Sequence, residues 1–153
     1  MKEINLRSND LISLEPFVFK GLINLTHINL RNNKLTKLGS GILDGLINLE
    51  EIDLSKNEFK TIDANLFKGA INLIEINLSH NKLEYLHVDQ FHGLIRLKCL
   101  RLNNNHLQEI DQKNTFKDLI NLTYVDLSSN DLKRRNQIQT LDRSLFDRIY
   151  IKW

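Results

Sequence analysis

The sequence predicts an α/β solenoid. Short parallel strands, one per repeat, form a concave sheet, and irregular or short-helical segments form the convex side. Three observations predict it. Asparagine returns at Asn9, Asn33, Asn57, Asn81, Asn105 and Asn130, with four intervals of 24 residues and one of 25. An apolar frame surrounds each asparagine, as at Leu73, Ile76, Leu78, Asn81 and Leu83. Two further columns hold the same phase: Leu14, Leu38, Ile62, Leu86, Ile110, and then Phe19, Leu43, Phe67, Phe91, Phe116. One such repeat cannot bury its apolar face alone, and stacking on its neighbours makes a continuous core.

The strands come first in each repeat. The pairs Ile4/Leu6, Ile28/Leu30, Ile52/Leu54, Ile76/Leu78, Leu100/Leu102, Val125/Leu127 and Ile149/Ile151 alternate with polar residues. That period of two marks half-buried strands, and seven are expected. Repeats start near residues 1, 25, 49, 73, 97 and 122, with a partial one from 146. Together they form a single array over 1–153 without separate caps.

The asparagines follow the strands. Their side chains carry both donor and acceptor, so a ladder of them can satisfy backbone groups left inside the turns. Gly21, Gly45, Gly69 and Gly93 mark tight bends in the return segment, through positive φ or close approach. Two irregularities interrupt the pattern. One residue is inserted between Ile110 and Phe116. After Leu132 the frame lapses, with Arg135 in an apolar column, so 133–145 reads as a degenerate convex segment.

Composition narrows the function. The net charge is +2, too small for a whole-molecule field that attracts nucleic acid. Lys133-Arg134-Arg135 is the densest basic run and reads as a solvated loop. No apolar run approaches the ~20 residues of a membrane helix, and Met1-Lys2-Glu3 leads straight into a strand without a leader segment. Cys99 is the single cysteine, so no disulfide framework or cysteine-based zinc site is expected. The five histidines fall at unrelated repeat positions. No phosphate-binding glycine loop, H-E-x-x-H run or nucleophile elbow occurs. The expectation is a protein that is not an enzyme and holds no cofactor or metal.

Function then belongs to positions that vary between repeats. Outward-facing strand residues make three concave columns. The first is Glu3, His27, Glu51, Glu75, Cys99, Tyr124 and Arg148. The second is Asn5, Asn29, Asp53, Asn77, Arg101, Asp126 and Tyr150. The third runs from Arg7 to Lys152. The middle, with Glu50, Glu51, Asp53 and Glu75, is acidic. The C-terminal third collects Arg101, Tyr124, Arg148, Tyr150 and Trp153. Tyr, Trp and Arg dominate binding hot spots. The expected partner-binding residues are Glu51, Asp53, Glu75, Arg101, Tyr124, Asp126, Arg148 and Tyr150, with the acidic middle selecting a basic partner surface.

The fuller pattern, with F-x-G-L-x-x-L closing each unit from Leu73 to Leu97, resembles the 24-residue "typical" leucine-rich repeat. The resemblance covers essentially all 153 residues and is similar to the repeat regions of Toll-like receptors and Slit-like proteins. It implies a leucine-rich repeat horseshoe that binds a protein ligand on its concave face, as part of an extracellular receptor or adhesion protein. The alternative is a small intracellular adaptor or a self-associating structural protein. The localisation expected is extracellular or cell surface for a piece of a longer protein, and cytoplasmic otherwise. In a secreted protein, Asn24, Asn77 and Asn121 open N-x-S/T triplets that could carry glycans. The uncapped end strands expose edges that invite self-association. No nucleic-acid partner and no membrane insertion by this segment are expected.

Overall fold

The computed structural model describes residues 1–39, 41–133 and 149–153. Each repeat contributes one three-residue strand: β1 Glu3–Asn5, β2 His27–Asn29, β3 Glu51–Asp53, β4 Glu75–Asn77, β5 Cys99–Arg101, β6 Tyr124–Asp126 and β7 Tyr150–Lys152. All pair in parallel, in chain order, in one seven-stranded sheet. A four-residue helix, α1 Gln112–Thr115, lies in the stretch with the inserted residue. The Asp111 carboxylate accepts from the Asn114 N–H at 3.2 Å and caps its start.

The strands are short because the chain turns sharply after each one. Ser8, Asn32, Lys56, His80, Asn104 and Ser129 all adopt left-handed φ between 54° and 58°. Each stands directly before a ladder asparagine. Asn81 shows the ladder's logic. Its Nδ2 donates to Leu54 O at 3.0 Å in the preceding repeat and to Leu78 O at 3.1 Å in its own. Its Oδ1 accepts from Phe59 N–H at 3.2 Å. Asn33, Asn57, Asn105 and Asn130 repeat this arrangement. Asn9 stands in the first repeat, stays exposed and reaches only its own turn.

The strand-pair leucines and isoleucines are buried from Leu25 to Leu127, while Leu86 of the column after the asparagines is half-buried. On the convex side Phe67 and Phe91 stack with centroids 6.0 Å apart, and buried Phe19, Leu43 and Phe116 continue the row. Both expected glycine roles occur. Gly45 has φ +78°, whereas a Cβ on Gly69 would lie 2.8 Å from Asp44 Cα. Residues 134–148, most of the degenerate segment, lie outside the described residues.

One expectation is corrected. The alternation places Ile149 beside Val125, but Val125 pairs with Ile151, Tyr124 with Tyr150 and Asp126 with Lys152. The last repeat is therefore 26 residues long rather than 24. A shift of two preserves strand parity, so Tyr150 still faces the concave side, but in the column of Tyr124 rather than that of Asp126.

Candidate functional site

The concave sheet brings Glu75, Arg101, Tyr124 and Tyr150 into one line across β4 to β7. Arg101 pairs with Glu75 of the preceding strand, and its guanidinium lies 5.9 Å from the Tyr124 ring centroid. Tyr124 stacks in turn on Tyr150. Tyr150 is 65% exposed and Trp153 45%, so the aromatic end of the line is open to solvent. Burial, then the neighbouring Asp126 carboxylate, push the Tyr124 phenol up. It stays a neutral donor, 3.2 Å from Asp126 Oδ2.

The second column has a structural duty that the alternating pattern did not disclose. Asn5, Asn29, Asp53, Asn77 and Asp126 each accept, on Oδ1, the N–H two residues ahead at 2.9–3.1 Å. These turns close the strand ends. Arg101 and, in the observed register, Lys152 are the exceptions in this column, and the long Arg101 side chain spans Glu75 and Tyr124.

Asp126 departs furthest from the expected partner contact. It is buried, and its carboxylate accepts from Ser128 Oγ at 2.6 Å and Lys152 Nζ at 3.4 Å. Burial alone would raise its pKa, but the Ser128 hydrogen bonds and the Lys152 ammonium outweigh it and hold the carboxyl below the usual range. Asp126 anchors the line from beneath and does not offer a free charge.

The acidic half lies towards β1. Glu3, Glu51, Asp53 and Glu75, with His27, rim a shallow hollow of about 280 Å³ floored by Ile4, Ile28 and Ile52. His27 Nε2 stands 3.6 Å from Glu51 Oε2. Glu50 does not join them. It precedes β3 and lines a separate flank groove with Lys2, Asn48, Asn72 and Arg96. Cys99 sits half-buried between the two halves. Burial, opposed by Arg101 and reinforced by Glu75 and Asp126, pushes its thiol up. Arg148 lies outside the described residues.

The three N-x-S/T asparagines take different positions. Asn77 is on the sheet, and its Oδ1 also accepts from Ser79 Oγ at 2.7 Å. Asn24 lines the flank groove. Asn121 belongs to a second, outer ladder. The Nδ2 groups of Asn48, Asn72 and Asn121 donate to the carbonyls of Ile23, Ile47 and Ile95 at 2.6–2.8 Å. Its signal in the sequence is the I-N-L triplet that recurs in phase at 23–25, 47–49, 71–73 and 120–122. Among the described residues no helix is long and apolar enough to cross a membrane, and no three His, Cys, Asp or Glu converge to hold a metal ion.

The family model of the BspA type leucine rich repeat region matches in six copies, over residues 1–123 and 80–151. A leucine-rich repeat protein of Leptospira interrogans superposes with a TM-score of 0.85 at 27% identity, covering 100% of this chain and 37% of its own. A chain of the Drosophila Toll–Spatzle complex gives 0.82 at 30% identity, covering 86% and 18%. The leucine-rich repeat domain of APL1B gives 0.79 at 21%, covering 86% and 39%, which speaks to the fold alone. The chain thus spans less than two fifths of the length of each of these structures. No curated protein matches the sequence significantly.

Proposed function

The chain belongs to the BspA-type leucine-rich repeat family, and on that premise we propose that it is a non-catalytic protein-recognition module binding its ligand on the concave face. The observation that carries this reading is the line Glu75–Arg101–Tyr124–Tyr150, which crosses four strands and ends in exposed aromatic surface. The fold does not call for aromatic residues there, since the same column holds Glu3, His27 and Glu51 in other repeats. Rigid aromatic side chains braced by a guanidinium are what hot spots are made of. The acidic hollow beside them favours a ligand with a basic segment.

We place the module outside the cell or at its surface. The similar chain solved within the Toll–Spatzle complex supports this placement, and a cytosolic adaptor is the competing reading. Labelling intact source cells and their lysate with a membrane-impermeant amine reagent separates the two. Labelling of the protein in intact cells, or its recovery from the medium, supports the surface reading, and labelling only after lysis counts against it.

The concave reading is tested by affinity capture from the source organism with two variants. One carries Glu51→Lys, Tyr124→Ala and Tyr150→Ala; the other carries Tyr85→Ala and Val88→Ala, exposed residues outside the sheet. A protein retained by wild type and the second variant but lost from the first supports concave recognition. One retained equally by all three rejects it.

A further inference from the structure

Five isoleucines stand in file outside the sheet. Ile23, Ile47, Ile71, Ile95 and Ile120 occupy one repeat position, and each is 51–55% exposed. The outer asparagine ladder ties successive turns together at this very position, so the isoleucines follow one another along a flank. The core is completed by their buried neighbours Leu25, Leu49, Leu73, Leu97 and Leu122. Half of each isoleucine is nevertheless left in water in every turn. A single exposed isoleucine is ordinary, but the file makes an apolar strip of roughly 500 Å², the size that marks interaction sites.

We propose that this strip is a dimer interface for a second copy of the chain, packed antiparallel with Ile71 on the two-fold axis. The strip is self-complementary. With Ile71 at its centre, reversal sets Ile47 against Ile95 of the second copy, and Ile23 against Ile120 of the second copy. Two strips face to face remove at most roughly 1,000 Å² from water, the lower bound for a biological interface. The adjoining row, Asn24, Asn48, Asn72, Arg96 and Asn121, is uncharged but for Arg96. Antiparallel pairing sets Arg96 opposite Asn48 of the second copy, so no like charges meet along this row. An apolar centre with a polar rim is the usual make-up of such an interface, and the two-fold makes it close on itself as a dimer. This surface is separate from both the concave face and the strand edges, so dimerisation leaves the ligand site open.

Sedimentation velocity on the full chain, from low micromolar to about 100 µM, measures the association directly. Wild type is expected as a monomer–dimer equilibrium. Ile71→Arg is expected to weaken it at least tenfold, with circular dichroism and melting unchanged. In a Cys99→Ser background, Ile71→Cys is expected to give an oxidised covalent dimer, whereas Tyr85→Cys is not. A wild type that stays monomeric throughout overturns the proposal. So does a dimer that persists undiminished in folded Ile71→Arg, or one that Ile71→Cys does not cross-link.

Discussion

The rings of Tyr124 and Tyr150 stack across neighbouring strands, with centroids 5.9 Å apart and planes inclined by 14°. An aromatic pair contributes about 0.5–1.5 kcal/mol beyond its area burial. Tyr150→Ala is therefore expected to lower stability by about 1 kcal/mol at most in urea denaturation. In titration calorimetry it is expected to weaken binding of a concave-face partner by at least about tenfold. A larger stability loss with unchanged affinity would assign the stack to folding alone.

The inner ladder carries far more of the stability. Asn81→Ala strips partners from the buried carbonyls of Leu54 and Leu78 and from the Phe59 N–H. An expected cost of about 3 kcal/mol follows from leaving such groups unmatched. Asn9→Ala, which removes only local, exposed bonds, is expected to cost below about 0.5 kcal/mol. Urea midpoints of the two variants compare them directly.

The left-handed turn position offers a stabilising change. Asn tolerates positive φ better than other non-glycine residues, and Asn32 and Asn104 already occupy this position. Lys56, with φ 54°, does not have that tolerance. Lys56→Asn is expected to raise stability by about 0.5 kcal/mol and Lys56→Val to lower it by about 1 kcal/mol. Thermal melting of both variants should move in opposite directions.

Asp126 confers an acid dependence. Its folded pKa lies below the usual aspartate value, because the Ser128 and Lys152 contacts overcome the opposing effect of burial. The stabilisation is present above the unfolded pKa and is lost as pH falls through the folded one. Chemical denaturation below pH 3.8 is expected to show wild type losing stability more steeply than Asp126→Asn. Parallel curves would show that this carboxylate is not a source of the acid sensitivity.

Cys99 reports on the site from within. Its thiol is pushed up first by burial and then by Glu75 and Asp126, against Arg101. Alkylation by iodoacetamide at pH 8 is expected to be slower than for a free thiol. Glu75→Gln is expected to speed it by removing one of the opposing charges. A concave-face partner is expected to protect Cys99, and unaltered labelling in the complex would place the partner elsewhere.

The architecture was readable because repetition multiplies a weak signal. One alternating triplet such as Glu75–Asn77 specifies little, but six in phase, four of them followed by a buried asparagine, leave one way to stack. The orientation of the site was readable for the same reason: Glu51, Glu75, Arg101, Tyr124 and Tyr150 all face the concave side, with Glu51 and Tyr150 exposed and the other three half-buried. Asp126 was not, since alternation reports only which face a side chain takes. Whether it reaches solvent there depends on Ser128, Tyr124 and Lys152 closing over it.

By itself, the sequence determined the repeat, the inward columns, the inner asparagine ladder and the concave side as the variable surface. These follow from periodicity, a property of one chain in one dimension. The tertiary structure decided the 26-residue offset of β7, the reach of Arg101 back to Glu75, and the exposed file of Ile23, Ile47, Ile71, Ile95 and Ile120. Each of these depends on how far one turn stacks over the next and how much of a side chain its neighbours cover. Those quantities exist only once residues 24 to 26 apart are brought side by side.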